Sequence, residues 1–345
     1  MQQLRKECAE KPMITESVLL NTLCVPCACR CRYCLLSCDG GTVGASWQRS
    51  AELAIKFKEG LSKTRPELKF AFAFGCSMEH PELPAALEFL RQIGSPQAEY
   101  LQCDGMRMRT DAECASLAQM LADHGAPHLN FTFYGLQDYH DRFAGRRGDF
   151  TLMLRMMGAA QAAGLKVSAG IPLTKESAPQ ADELIARLRE QVGDIRVFLF
   201  IPHEEGRGVV LDGIRFTEDE LSCLSPEAHG LLNSNIFRPE KEWLGGAYVP
   251  ETKRQIIISL REDNILRYES MLPADVVAET EALDDAYYAA FPSFEELAER
   301  YGESSGSRFY RQRDLFYHYR RLYAEEFNVR VYDVTDERQS GSRRY

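Results

Sequence analysis

Six short β-rich runs, several of them nearly continuous in apolar residues, punctuate the first two-thirds of the chain, at 17–23, 69–74, 99–103, 128–133, 166–171 and 196–201. Runs of this length without alternation are those of strands buried on both faces, as in parallel sheets. Between them lie stretches with apolar residues at helical spacing, at 47–62, 81–93, 111–124, 150–163 and 181–191. Gly94, Gly125, Gly164 and Gly193 follow four of these stretches, where a helix ends most easily in left-handed backbone. Such alternation predicts βαβ units with right-handed crossovers, which curl a parallel sheet toward a barrel. The expected class is α/β, a partial TIM-type (β/α)6 barrel with a mixed α+β C-terminal extension.

The rhythm stops after Pro202. Beyond it the pattern predicts a helix near 218–224 and a hairpin pairing 255–260 with 265–269 across the polar turn 261–264. Helices are expected at 294–301 and 308–327, and a short strand at 329–334. The predicted division is an N-terminal arm (1–16), a core (17–210), a substrate or capping region (211–334) and a polar, disordered tail (335–345). In 308–327, Phe309, Phe316 and Tyr323 recur at sevens, a packing stripe on a helix that also carries many arginines.

Composition narrows the class. The 345 residues are 45% hydrophobic and 27% charged, the balance of a soluble globular chain with length enough for a large core. Nowhere do 18 apolar residues run together, so no membrane span is expected. The N-terminal MQQLRKECAEKPM carries no apolar leader segment, which predicts a cytoplasmic protein. A net charge of −10 argues against nucleic acid as a partner.

Eleven cysteines in a chain without a leader point to metal binding rather than to a disulfide framework. Cys24, Cys27, Cys29, Cys31, Cys34 and Cys38 crowd into one segment directly after the first predicted strand, with Cys8 upstream. Soft thiolates suit iron–sulfur clusters, and three within eight residues can wrap one cluster only from a loop. A three-thiolate cubane leaves one iron open to an outside ligand. The competing reading is zinc held by the pairs Cys24–Cys27 and Cys31–Cys34. Zinc ribbons separate such pairs by about 15–20 residues, far more than the three here.

Cys27-x-x-x-Cys31-x-x-Cys34, with Tyr33 before the last cysteine, resembles the signature of the radical S-adenosylmethionine (SAM) superfamily. The resemblance spans roughly residues 17–210. It implies one [4Fe–4S] cluster on Cys27, Cys31 and Cys34, SAM bound at the open iron, and reductive cleavage to a 5′-deoxyadenosyl radical that takes hydrogen from a substrate. Gly75-Cys76-Ser77-Met78-Glu79 is similar to the family's glycine-glycine-glutamate-proline segment, which implies that Gly75, Cys76, Ser77 and Glu79 hold the SAM amino group. Gln102-Cys103-Asp104-Gly105 resembles a Thr-Asn-Gly turn and offers Gln102 to a SAM hydroxyl. Thr132-Phe-Tyr-Gly135 resembles a ribose-binding Ser-Leu-Asp-Gly, making Thr132 the ribose candidate. Residues 140–150 resemble a stretch whose arginine pairs with the SAM carboxylate, here Arg146 with Arg147 as alternate. Ser168 and Ile201, on the fifth and sixth strands, complete the set; Ile201 reads equally as core.

The resemblance further implies an electron donor such as flavodoxin or ferredoxin, and a ribosomal peptide or small metabolite as substrate. An RNA-modifying radical SAM enzyme, a glycyl-radical-enzyme activase and a non-catalytic zinc or iron–sulfur protein are the alternatives. No cysteine follows Cys223, so no cysteine-rich auxiliary-cluster domain is expected. Cys223 is a candidate hydrogen-atom donor to a substrate radical.

Overall fold

In a computed structural model, which describes residues 13–23, 27–34, 44–75, 77–193, 195–204, 206–250 and 252–329, all six apolar runs are strands. They are β1 (Ile14–Leu23), β2 (Lys69–Gly75), β3 (Tyr100–Gln102), β4 (His128–Thr132), β5 (Val167–Pro172) and β6 (Arg196–Phe200). Helices α1 (Trp47–Thr64), α2 (Leu83–Ile93), α3 (Asp111–Asp123), α4 (Gln137–Ala144), α5 (Asp149–Ala162) and α6 (Ala181–Val192) intervene. Gly94, Gly125, Gly164 and Gly193 all take positive φ, as their positions after helical stretches predicted.

Every strand pairing around the wall is parallel. One sheet runs β3-β4-β5-β6. The other is β2-β1 flanked by β8 (Lys253–Leu260), a strand from the region read as a cap. Leu23 lies opposite Gly75, and Thr22 opposite Leu260, so the C-terminal ends of these three strands finish level at one rim. Between β2 and β3 no ladder forms among the described residues. There the Gln97 side chain brackets Phe74, accepting from its N–H at 2.8 Å and donating to its carbonyl at 2.8 Å. No ladder joins β6 to β8 among the described residues either, and the wall is an open, partial barrel.

The expected hairpin is not there. Residues 255–260 do form a strand, but its partner is β1, and residues 265–269 lie in helix α10 (Ile265–Ser270). Side-chain chemistry decides this. Asn264 accepts from the Arg261 N–H at 2.8 Å and donates to the Ser259 carbonyl at 2.8 Å, closing a turn that feeds a helix rather than a returning strand.

Three short helices, α7 (Glu218–Leu221), α8 (Pro226–Leu231) and α9 (Glu240–Glu242), precede β8, and α11 (Pro273–Ala289), α12 (Phe294–Tyr301) and α13 (Gln312–Phe327) follow it. A two-stranded antiparallel pair, β7 (Arg238–Pro239) with β9 (Phe309–Tyr310), ties these together. The main core lies between the wall and its helices, with Leu20, Phe57, Phe72, Leu101, Phe131 and Leu188 fully or almost fully buried. A second core gathers Trp243, Phe294, Leu297, Tyr310, Leu315 and Tyr319. Phe316 and Tyr323 pack against it, as two members of the stripe; the third, Phe309, lies in β9 ahead of a helix that starts at Gln312 rather than 308, and packs in the main core instead. Two arginines of α13 turn inward: Arg320 is 0% exposed and Arg321 6%. The strand expected at 329–334 and the tail lie almost entirely outside the described residues, as do Cys8, Cys24, Cys38 and Cys76. No described helix is long and apolar enough to cross a membrane.

Candidate active site

The loop after β1 is strapped to its neighbours by backbone hydrogen bonds. Ala28 N–H donates to Gly105 (3.0 Å), Arg30 N–H to Ala144 (2.8 Å) and Arg32 N–H to Phe143 (2.7 Å). The last two partners end α4, where Gly145 takes φ 65°. A Cβ there would stand 2.6 Å from the Arg30 carbonyl oxygen, so the close approach of the loop requires glycine.

Strapped this way, the loop presents Cys27, Cys31 and Cys34 together, all half-buried, to a cavity of about 630 Å³ at the strands' C-terminal rim. That is where α/β folds collect catalytic groups, and the volume is in the range of small-ligand sites. Cys29 is buried and is not among the residues lining the cavity; its sulfur lies 3.8 Å from each Asp149 carboxylate oxygen and also hydrogen-bonds with Cys27 and Cys31. Its thiol is pushed far up, first by its hydrogen bonds with Cys27 and Cys31 and then by burial. Three soft donors therefore line one space, and the fourth thiol is buried beside Asp149. That donor set fits a cubane cluster held by three thiolates with one iron open.

The cavity wall is apolar on one side and polar on the other. Leu19, Ala73, Phe74, Phe198 and Phe200 supply the apolar face. On the polar face, Gln102 donates to Asp104 (2.6 Å) and to Thr132 Oγ1 (3.0 Å) and accepts from Asn130 Nδ2 (2.8 Å). Thr132 donates both its N–H and its hydroxyl to Asp104, at 3.1 and 2.9 Å. Burial pushes the Asp104 carboxyl up to about 6, against the downward pull of these hydrogen bonds. Burial likewise holds the Tyr134 phenol well above its usual range.

Among the residues singled out from sequence, Cys27, Cys31, Cys34, Tyr33, Gly75, Gln102 and Thr132 line this one cavity. The others stand behind it. Ser77 donates to the Gln102 carbonyl (3.1 Å), and Ser168 to Asn130 Oδ1 (2.8 Å). Glu79 accepts from the Arg107 N–H (2.8 Å) and pairs with Arg109. Arg146 pairs with Asp149 and the Met106 carbonyl, and His140 Nε2 lies 3.0 Å from the same carboxylate. Burial would raise Asp149, but these partners hold it below its usual value. Ile201 is fully buried core, and Cys223 is exposed and not among the cavity-lining residues. Sequence reasoning missed Asp104, Asn130, Tyr134 and His203, which also line the cavity. Asp104 had a signal, since it stands in a turn compared with the family, while the others only the fold could gather.

No family model and no curated protein matches the chain. Solved structures do. SuiB of Streptococcus suis bound to precursor peptide SuiA matches at 14% identity over 55% of this chain and 40% of that one, TM-score 0.39. The coproporphyrinogen III oxidase HemN of Escherichia coli, described as a radical SAM enzyme, matches at 14% identity over 66% and 51%, TM-score 0.34. The enzyme anSMEcpe with bound AdoMet and Cp18Cys peptide matches at 12% identity over 92% of this chain and 99% of that one, TM-score 0.43. The matched region of SuiB is about 40% of its length.

A second cluster sits behind the rim. Glu204, Asp212 and His318 come close enough to hold a cation. A guanidinium nitrogen already stands there: Arg321 Nη2 is 3.1 Å from Glu204 Oε1 and 3.0 Å from His318 Nδ1, and it also pairs with Asp212. Arg215, 3% exposed, pairs with the other Glu204 oxygen and stacks 4.5 Å over the Tyr310 ring. The cluster is a latch that fastens the segment after β6 to α13.

Proposed function

We propose that this chain is a radical SAM enzyme that carries one [4Fe–4S] cluster on Cys27, Cys31 and Cys34. The observation that carries the reading is that these three thiols line one cavity, while Cys29 is buried beside Asp149 and does not line it. With the cluster and SAM bound, the chemistry supplied would be reductive cleavage of the sulfonium to a 5′-deoxyadenosyl radical.

The chain's own groups do the holding. Gln102 and Thr132, oriented by Asp104, offer amide and hydroxyl groups to a polar ligand. Leu19, Ala73, Phe198 and Phe200 exclude water from the opposite face. The substrate of this reading is a ribosomal peptide or small metabolite, and the reductant is a flavodoxin- or ferredoxin-like donor.

Anaerobic reconstitution, dithionite reduction and assay for 5′-deoxyadenosine test it. Product that vanishes in Cys27→Ala, Cys31→Ala and Cys34→Ala supports the reading. A colourless, zinc-loaded protein that leaves SAM intact overturns it.

A further inference from the structure

His203 is three residues past the end of β6 and lines the same cavity as the three cysteines. Its backbone N–H donates to the Tyr33 hydroxyl at 2.9 Å, which pins it to the cysteine loop. Its ring is held from the other side, with Nδ1 3.4 Å from Oδ2 of Asp314 in the first turn of α13. Asp314 is fully buried, and Arg311 grips it with two hydrogen bonds, at 3.0 and 3.1 Å. The Arg311 and His203 partners hold the Asp314 carboxyl below its usual value despite its burial. Nε2 of His203 has no hydrogen-bond partner among the described residues, and the side chain keeps 24% of its surface open.

A carboxylate that accepts from Nδ1–H makes the opposite nitrogen the basic one and stabilises the ring when it gains a proton. On the reading of the cavity given above, we propose that His203 is a proton acceptor for the substrate and that Asp314 is its positioning residue. The ligand class is a molecule with an acidic X–H group, a hydroxyl, thiol or amine. In the step, the X–H bond breaks, its electron pair stays on X, and the proton forms a bond to Nε2. The imidazolium so formed is paired by Asp314, and no electron is lost or gained. The charged and titratable groups around the ring are Asp314 and Arg311 from α13, Tyr33 and the cysteines from the loop, Glu204 next in sequence, and Asp104 and Tyr134 across the cavity. Glu204 is occupied by Arg215, Arg321 and His318, and Asp104 by Gln102 and Thr132, which leaves Asp314 as the carboxylate paired with the ring.

Two measurements on the full chain test this, each made with and without cluster reconstitution. The first is ¹⁵N NMR of labelled histidine. His203 is expected in the Nδ1–H tautomer with a bare Nε2, and Asp314→Asn is expected to abolish that preference. The second uses 4-nitrophenol as a chromophoric X–H probe. Bound probe is expected to show the nitrophenolate band at a lower pH than free probe, and His203→Gln is expected to remove that shift. An Nε2–H tautomer, a probe that does not bind, or a shift that survives His203→Gln each overturns the proposal. Because neither readout requires SAM cleavage, failure of the radical SAM reading would appear separately, as intact SAM beside an unchanged tautomer and probe shift.

Discussion

Cys29 and Asp149, 120 residues apart, place a thiol sulfur 3.8 Å from both oxygens of a buried carboxylate. Of the four cysteines in the described loop, Cys29 is buried on that carboxylate and the other three line the cavity. Cys29→Ala should therefore keep its iron and sulfide after reconstitution, whereas Cys27→Ala, Cys31→Ala and Cys34→Ala should each lose most of the cluster absorbance. Iron content per chain is the check.

Gly145 sets how closely that loop approaches α4. Alanine there must adopt φ near 65° and brings its Cβ against the Arg30 carbonyl. The backbone cost alone is about 1–2 kcal/mol. Gly145→Ala is expected to lower the thermal midpoint and to reduce iron incorporation together, in contrast to Gly158→Ala, where a Cβ would meet nothing within 4 Å.

Asp104 carries a pH dependence whose sign follows from its raised value of about 6. Between the unfolded carboxyl range near 4 and the folded value, the native state holds the extra proton. Stability from this group therefore falls as pH rises through that window, and the cost is complete above it. Over about two pH units this is on the order of 2–3 kcal/mol. Asp104→Asn should thus gain on the wild type from pH 4 to pH 7, as read by urea denaturation at each pH.

Glu204 runs the other way. Burial would raise it, but Arg215, His318 and Arg321 hold it below its usual value, so its contribution is present at neutral pH and lost as pH falls through the acidic range. Glu204→Gln leaves two buried guanidinium groups short of a counter-charge and should cost about 3–5 kcal/mol. Because the latch fastens the segment that carries His203, the probe shift should weaken in the same variant.

Arg320 presents the opposite case. Fully buried, its guanidinium has no hydrogen-bond partner among the described residues and lies 4.2 Å from the Tyr287 and Tyr288 rings, 4.8 Å from Phe291 and 5.0 Å from Phe316. Cation–π contact offsets only part of the desolvation cost of an unpaired charge. Arg320→Met should leave the chain as stable or raise its thermal midpoint, and a fall of several degrees would contradict this account.

The local pattern of the chain was enough to predict β1 to β6 and five of the helices between them, because strands buried on both faces and amphipathic helices each leave a periodic trace in one stretch of residues. The cysteine triplet, too, lies within one stretch of the chain, and the structure brings Cys27, Cys31 and Cys34 to one cavity. Tertiary structure decided the rest. The apolar run 255–260 reads the same whether it pairs with a neighbour in a hairpin or crosses to β1, since β-pairing leaves no trace of its partner's position in sequence. Helix α11 was missed because acidic and small residues occupy most of its sides, and its place is held by packing and by the buried Arg254–Asp284 pair. Which cysteine turns inward, which carboxyl is desolvated and which histidine meets Asp314 are set by contacts between residues far apart in the chain. The first of these depends on residue 149, the second on the cavity, and the third on helix α13.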